Sequence, residues 1–453
     1  MHLTDHVIHF ILQTNWNQLP ANVQHQSKRC LMDALGALIA GVPTPPARLV
    51  AAVARSQYPG KQATLLVTGG RVSVAGAALA NGFAANALDM DDGYRRIKGH
   101  PGACVLPVIL AACELAPQCS GADFLTSFVI GYEVGIRAGL IRHATYPIYH
   151  SSGSWGAIAG AAAAGKILGY DADTLYRAMG TAEYHAPIAP MMKGIDEPNM
   201  GKDSIGWGAM VAMMSAVMAK DGFTGVNPLF DDTPKKNWVK NLGRQYEILN
   251  LYFKPYAACR WAQPSVAGAL KICREHHIAP QEISRIQVRT FKAAARLSHC
   301  HPENTEQAQY NIAFPVAAAL IDGEVGPGQV LPPRIFDKEI LSLADKVEVE
   351  VYDHYETLFP VKAGAEVVID TRNRGRLASG PVEALWEPPD TLPSDRELAN
   401  KFTRLVRPVL GVEKTDSLTD MIWRFERLDS VDRLFDLCTR AAAAKGQAVG
   451  HLR

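Results

Sequence analysis

The apolar run from Val72 to Leu88 constrains this chain more than any other stretch, because of how it ends. It is Ala-rich and carries no charge, so it reads as a buried helix. It then opens directly into Asp89, Asp91 and Asp92, next Arg95, Arg96 and Lys98, and finally His100 between Gly99 and Pro101. Burying charge is costly unless it is paired or solvated, so an acid–base–His cluster at the end of a core helix points to a cleft. A solvated, salt-bridged helix terminus would produce the same string. The rest of the chain has to decide between them.

A chain of 453 residues exceeds the usual single core, which predicts more than one domain. Helical spacing fills the first half: Ala21–Val42, then Ser73–Leu88, Leu106–Leu115, Ala122–Ile141, Gly153–Leu168, Ala172–Ala182 and Trp207–Lys220. Gly169 and Gly222 stand as stop signals, and the density of Ala and Gly predicts closely packed helix axes. Beyond about Leu251 the period changes. Ile283–Phe291, Lys346–Tyr352 and Ala363–Thr371 alternate as strands do, with a hairpin turn at Asn373–Gly375. Helices are expected at Ser265–His276 and Gln309–Asp322. A Pro-rich stretch at Glu387–Pro393 reads as a linker, and a helical pattern returns from Asp395 to Ala444. The predicted architecture is mainly α. A large all-helical domain (1–250) is interrupted by a smaller α+β lid (251–388), and the C-terminal helices (389–453) return to the first domain.

Forty-six bases against 45 acids leave a formal charge of +1, which argues against nucleic acid as a partner. The eight cysteines form no CxxC pair, as in a reduced, cytoplasmic protein. The N-terminus lacks the pattern of a signal peptide, and no apolar run reads as long and charge-free enough to span a bilayer, so no membrane partner is expected.

Three more polar clusters sit at the ends of apolar segments: Tyr149–Ser154, Gly201–Ser204 and Phe253–Arg260. Ser151 or Ser152 can cap the Gly/Ala helix that follows, whose positive end would attract an anion, with His150 at its mouth. A His in that position can equally be structural. The junction cluster falls where small-molecule sites are favoured. No HExxH motif favours a metal. Asp89-x-Asp91-Asp92 could hold magnesium, but the adjacent bases weigh against it. No Walker loop, GxGxxG after a strand or GxSxG is present. Lysines and histidines of this kind suit a carboxylated substrate and a proton transfer.

NALDMDDGYRRIKGHPGACVLPVILAACE, GYEVGIRAG, YHSSGSWGAIAGAAAAGKILG, the Lys202 segment, DGFTG, FKPYAACRWAQPSVAGAL and NIAFPVAAALIDG follow one another over about three-quarters of the chain. In that order they resemble the MmgE/PrpD family of dehydratases, decarboxylases and epimerases of small polycarboxylic acids. The resemblance implies a helical domain with an α+β lid, no cofactor and a homodimer. It places active-site positions on Asp89, His100, His150, Lys202 and Lys254. Arg260, Tyr256, Ser152 and Cys259, in the same clusters, are candidate substrate contacts. Gly93 stands where the family has Thr, Phe314 where Tyr is common, and Cys259 where the decarboxylases have His. Glu183-Tyr184-His185 reads either as a substrate-selecting triplet or as a surface face.

The leading expectation is dehydration of a 2-methylcitrate-like hydroxy acid. His100 and His150 share the base and acid roles, Lys202 and Lys254 hold carboxylates, and Asp89 orients a His. Epimerisation or decarboxylation on the same scaffold is the alternative, the latter disfavoured by Cys259 and Phe314. A non-catalytic acid-binding or structural dimer is the reading from another class. The lid is expected to hinge near Lys254.

Overall fold

Close helix packing is visible first in the glycines of the computed structural model, which describes residues 2–116, 118–297 and 301–439. A Cβ on Gly82 would stand 2.7 Å from the Cα of Gly206, so the helices Val74–Asn86 and Ile205–Lys220 meet backbone to backbone. Around them pack Ala21–Gly41, Pro101–Cys113, Gly121–Thr145, Gly153–Ile167 and Ala172–His185. These follow the sequence pattern with shifted ends. Pro101–Cys113 starts early because Pro101 occupies its first turn, where a missing N–H costs nothing. Gly169 and Gly222 take φ of +67° and +91° just beyond two of the helices.

Gly121–Thr145 corrects the expectation that no run is long and apolar enough to cross a membrane. By length and composition it is. All of its most apolar window is nevertheless buried inside the protein. Periodicity also passed over the helices Leu3–Gln13 and Pro45–Gln57, and the small hairpin of β1 (Pro59–Thr64) and β2 (Arg71–Val72).

The second part is built on a sheet of β3 (Ile283–Thr290), β4 (Val347–Val351), β5 (Gly364–Thr371), β6 (Gly375–Ala378) and β7 (Val382–Glu383). Its order is β4-β3-β5-β6, with β7 also on β5; β3 and β4 are parallel and the other pairs antiparallel. The hairpin closes with Thr371 opposite Gly375. Helix Gln263–His276 covers the sheet, its Gly268 against Val367. The helix expected at Gln309–Asp322 starts only at Ala313, and a separate short helix, Thr305–Gln309, ends where it was expected to begin. Pro315 cannot donate to the carbonyl of residue 311, and the Asn311 side chain accepts the Phe314 N–H instead. Gln309 and Tyr310 are thereby left at a helix end.

Asp395–Leu410 packs on Ala21–Gly41, with Gly36 making room for Phe402. Lys401, fully buried on this helix, is 2.6 Å from Asp33 and also donates to the Met90 carbonyl. Residues 440–444 of the predicted C-terminal helical pattern, and Cys300, lie outside the described residues. Two of the cysteines are not dispersed: the thiols of Cys113 and Cys119 lie 2.8 Å apart.

Candidate active site

Asp89 leaves the Val74–Asn86 helix with φ of +54°, and Lys98, Lys202 and Ser204 also adopt positive φ. Such conformations cost energy for residues with a Cβ and persist where surrounding contacts hold them. Here the contacts are specific. The Lys202 ammonium donates to the Asn86 carbonyl and to Gln309, each at 2.7 Å, and Gln309 donates to the Ala87 carbonyl. Lys254 donates to the Asp89 carbonyl at 3.0 Å and to its carboxylate at 2.9 Å. Asp89 and Lys254 are both 2% exposed.

His100 begins the Pro101–Cys113 helix among three carboxylates. Its Nδ1 is 2.8 Å from Asp91, at an angle off that of a straight hydrogen bond; its Nε2 is 3.7 Å from Asp89 and 3.8 Å from Asp203. Burial disfavours the charged ring, but Asp91 and Asp203 outweigh it and raise His100 above its ordinary value. Burial likewise opposes charge on Asp91 and Asp89. His100 above all for Asp91, and Lys254 above all for Asp89, hold both below the usual carboxylate range. Asp89 and Asp91 are thus biased toward the ionised form and His100 toward the protonated form. Asp89, Asp91 and His100 form a cluster with metal-ligand spacing. The Lys254 ammonium already occupies the cation's position beside Asp89.

These groups open on a cavity of about 250 Å³ between the helical part and the sheet-bearing part. Arg95, Lys98, His100, Lys254 and Arg260 line it, against two carboxylates, Asp89 and Asp203. Arg260 is held by a bidentate pair with Glu387 (2.6 and 2.8 Å). Cys259 also lines the cavity, its thiol pushed up to about 12 by burial and by Asp89. Tyr149, Tyr252 and Tyr310 complete the polar wall, and burial keeps all three phenols protonated.

Tyr252 depends on Gly93. The two exchange backbone hydrogen bonds of 2.9 and 3.0 Å, and a Cβ at position 93 would lie 2.2 Å from the Tyr252 ring and 2.3 Å from its hydroxyl. The absent side chain at 93 is therefore space for an aromatic ring with its own hydroxyl. The expected loss of a donor there is a replacement. Phe314, counted as the second lost hydroxyl, is buried outside the lining, and Tyr310 supplies a phenol.

Of the residues singled out in the sequence, Asp89, His100, Lys254, Arg260 and Cys259 come together on the cavity. Arg95 and Lys98 of the opening cluster line it with them, whereas His150, Lys202, Ser152, Tyr256, Glu183 and His185 do not. His150 is completely buried, bonded to Ser154 and stacked on His143 at 4.1 Å, and burial lowers it so that it stays neutral. Its neighbour Tyr149 reaches the cavity in its place. Lys202 clamps the helix end described above. Ser152 does not cap its helix. It donates to Asp203 (2.9 Å) and receives the His100 N–H (3.3 Å), a support behind the imidazole. The anion expected at that helix's positive end is the Asp203 carboxylate, which accepts the Ser152 N–H at 3.4 Å, while the Asp203 carbonyl accepts the Gly153 N–H. Tyr256 faces a different cavity. Glu183 accepts the Leu229 N–H at 2.6 Å and lies 3.9 Å from Arg142, a structural tie. His185 is exposed beside Tyr184, which is 72% exposed, so the triplet does not select substrate in this cavity. Sequence reasoning passed over Asp203, Tyr252 and Tyr310. Asp203 stood inside a quoted cluster, whereas nothing in the string links Tyr252 to Gly93.

Residues 5–246 match the MmgE/PrpD N-terminal domain and residues 256–427 the MmgE/PrpD C-terminal domain. Relatives span nearly the whole chain at low identity. The cis-aconitate decarboxylase-like protein oryM of Aspergillus oryzae is 23% identical, covering 96% of this chain and 97% of that protein. The cis-aconitate decarboxylase of Aspergillus terreus is 22% identical (96% and 95%), and that of Mus musculus 24% identical (91% and 88%). Both domains in order, around a cavity that draws on each, show that the chain belongs to the MmgE/PrpD family, a family of lyase-type enzymes.

Proposed function

We propose that this protein is a cofactor-independent lyase that removes carbon dioxide from a small unsaturated polycarboxylic acid. The observation that carries the reading is His100, which Asp91 and Asp203 bias toward its protonated form on a cavity that also carries four other cationic side chains. As the C–C bond to the departing carboxylate breaks, its electron pair moves into a neighbouring conjugated carboxylate. Cationic side chains facing that carboxylate stabilise the developing charge. His100 Nε2 then delivers its proton to carbon and is recharged from water. Five basic side chains against two carboxylates suit a substrate that carries more than one negative charge.

The leading expectation from sequence was dehydration. It keeps support from one feature: Asp89 and Asp203 lie within 4 Å of the same imidazole, so an acid and an acceptor are adjacent. Elimination, however, needs a resting base. Lys254, Cys259 and the tyrosines rest protonated, and Asp89 is held as a weak base. One sequence argument against decarboxylation, Phe314, concerned a residue outside the cavity lining.

Incubation with cis-aconitate, citrate and 2-methylcitrate in D2O, followed by NMR and carbon dioxide release, separates the readings. The expected result is carbon dioxide with one deuteron on a carbon of the allylic system left behind. An alkene formed without carbon dioxide would establish the dehydration reading instead. No consumption of any acid would remove the enzyme reading for this substrate class. His100→Gln should lower turnover by about 10²- to 10⁴-fold with unchanged circular dichroism.

A further inference from the structure

A second cavity, of about 850 Å³, stands back to back with the first. Two short segments form the partition between them. Asp89 and Lys254 face the first cavity, while their chain neighbours Met90, Pro255 and Tyr256 line the second. The rest of the wall comes from helices Gln263–His276 and Asp395–Leu410, the loop at 323–332 and Trp386. Its inner surface reaches Met90, Leu270 and Leu405, each no more than 6% exposed. A flat protein surface does not fill a recess of that depth, and the volume is that of a small-molecule site, about 300–1,000 Å³.

Three bases and one acid line this cavity. Lys401, at the inner end, is already satisfied by Asp33 and the Met90 carbonyl. Arg274 and Arg404 are exposed on the two flanking helices, and among the described residues neither guanidinium is within 4.0 Å of a carboxylate. Glu324, the acid in the wall, reaches neither. Both arginines line the cavity together with Tyr256. Two unpaired guanidinium groups beside an apolar recess match a carboxylate head on an apolar body, because the planar fork binds both carboxylate oxygens.

We propose that this cavity is a second ligand site, for an amphipathic carboxylate. Its apolar body lies along Leu270, Trp386 and Leu405, and its head is held by Arg274 and Arg404. The site is separate from the proposed lyase chemistry, and its test reads binding alone.

Decanoate titrated into the full chain should give a saturable change in tryptophan fluorescence that Trp386→Phe abolishes. The Arg274→Ala/Arg404→Ala double variant, with both changes at exposed positions, should weaken binding at least tenfold at an unchanged melting temperature. Decanol and decyltrimethylammonium should bind at least tenfold more weakly than decanoate. Equal binding of decanoate and decanol, or of decanoate to the parent and the double variant, would overturn the proposal. So would no saturable signal. So would a dimer in light scattering that dissociates on Arg274→Glu/Arg404→Glu, since the recess would then be an interface between copies.

Discussion

At the scale of single residues, Gly93 shows how an absence can carry information. A methyl group there would enter the Tyr252 ring at 2.2 Å. Gly93→Ala should therefore destabilise by about 1–3 kcal/mol, the usual cost of overpacking, and change KM by displacing a wall of the cavity. Tyr252→Ala in the same chain should recover part of that stability. A strictly additive double-mutant cycle in denaturant unfolding would contradict the coupling. The string Asp89–His100 announces its chemistry because charge after an apolar helix needs partners, and Lys254 is legible for the same reason. His150 was misread because a His before a helix start looks the same whether it faces a cavity or, as here, stacks on His143. Sequence spacing carries no sign of direction.

Elements follow their periods, and fail where side chains rewrite the ends. The alternation at 283–291 and 363–371 became β3 and β5, and the Asn373–Gly375 turn joined β5 to β6. Pro315 held back the start of a helix that periodicity alone would have begun at Gln309. The start of Pro101–Cys113 is bound to Asp92, which accepts from the Gly102 N–H at 2.9 Å and from the Tyr132 hydroxyl at 2.5 Å. Burial and the neighbouring Asp33 raise Asp92 from 3.8 to about 7. Between those values the folded chain holds a proton that the unfolded chain has released. This group's contribution to stability is thus complete below about pH 4 and lost as pH rises through 7. Asp92→Asn keeps an acceptor for Gly102 and removes the titration. The melting temperature of Asp92→Asn relative to the parent should rise between pH 5 and pH 8. A constant difference across that range would assign the pH dependence elsewhere.

At the scale of the whole molecule, the mainly helical fold with an inserted sheet was readable from the change in period near residue 251. What the sequence could not display is which distant segments meet. The cavity takes Asp89 and His100 from one part, Cys259 and Tyr310 from the other, and Lys254 from the crossing between them. The ties behind it are longer still. Lys401 reaches back across more than three hundred positions to Asp33 and to the carbonyl next to Asp89.

That last tie sets a schedule for synthesis. Every group on the candidate cavity has left the ribosome well before Lys401 does, yet the loop that carries Asp89 lacks one of its anchors until then, and the face of Ala21–Gly41 that the Asp395–Leu410 helix covers stays open. A chain stopped at residue 394 should be inactive although it contains the full set of cavity residues, and a separately made 395–453 segment should restore turnover when added. Activity in the shortened chain alone would mean that the site assembles without waiting for its final helix.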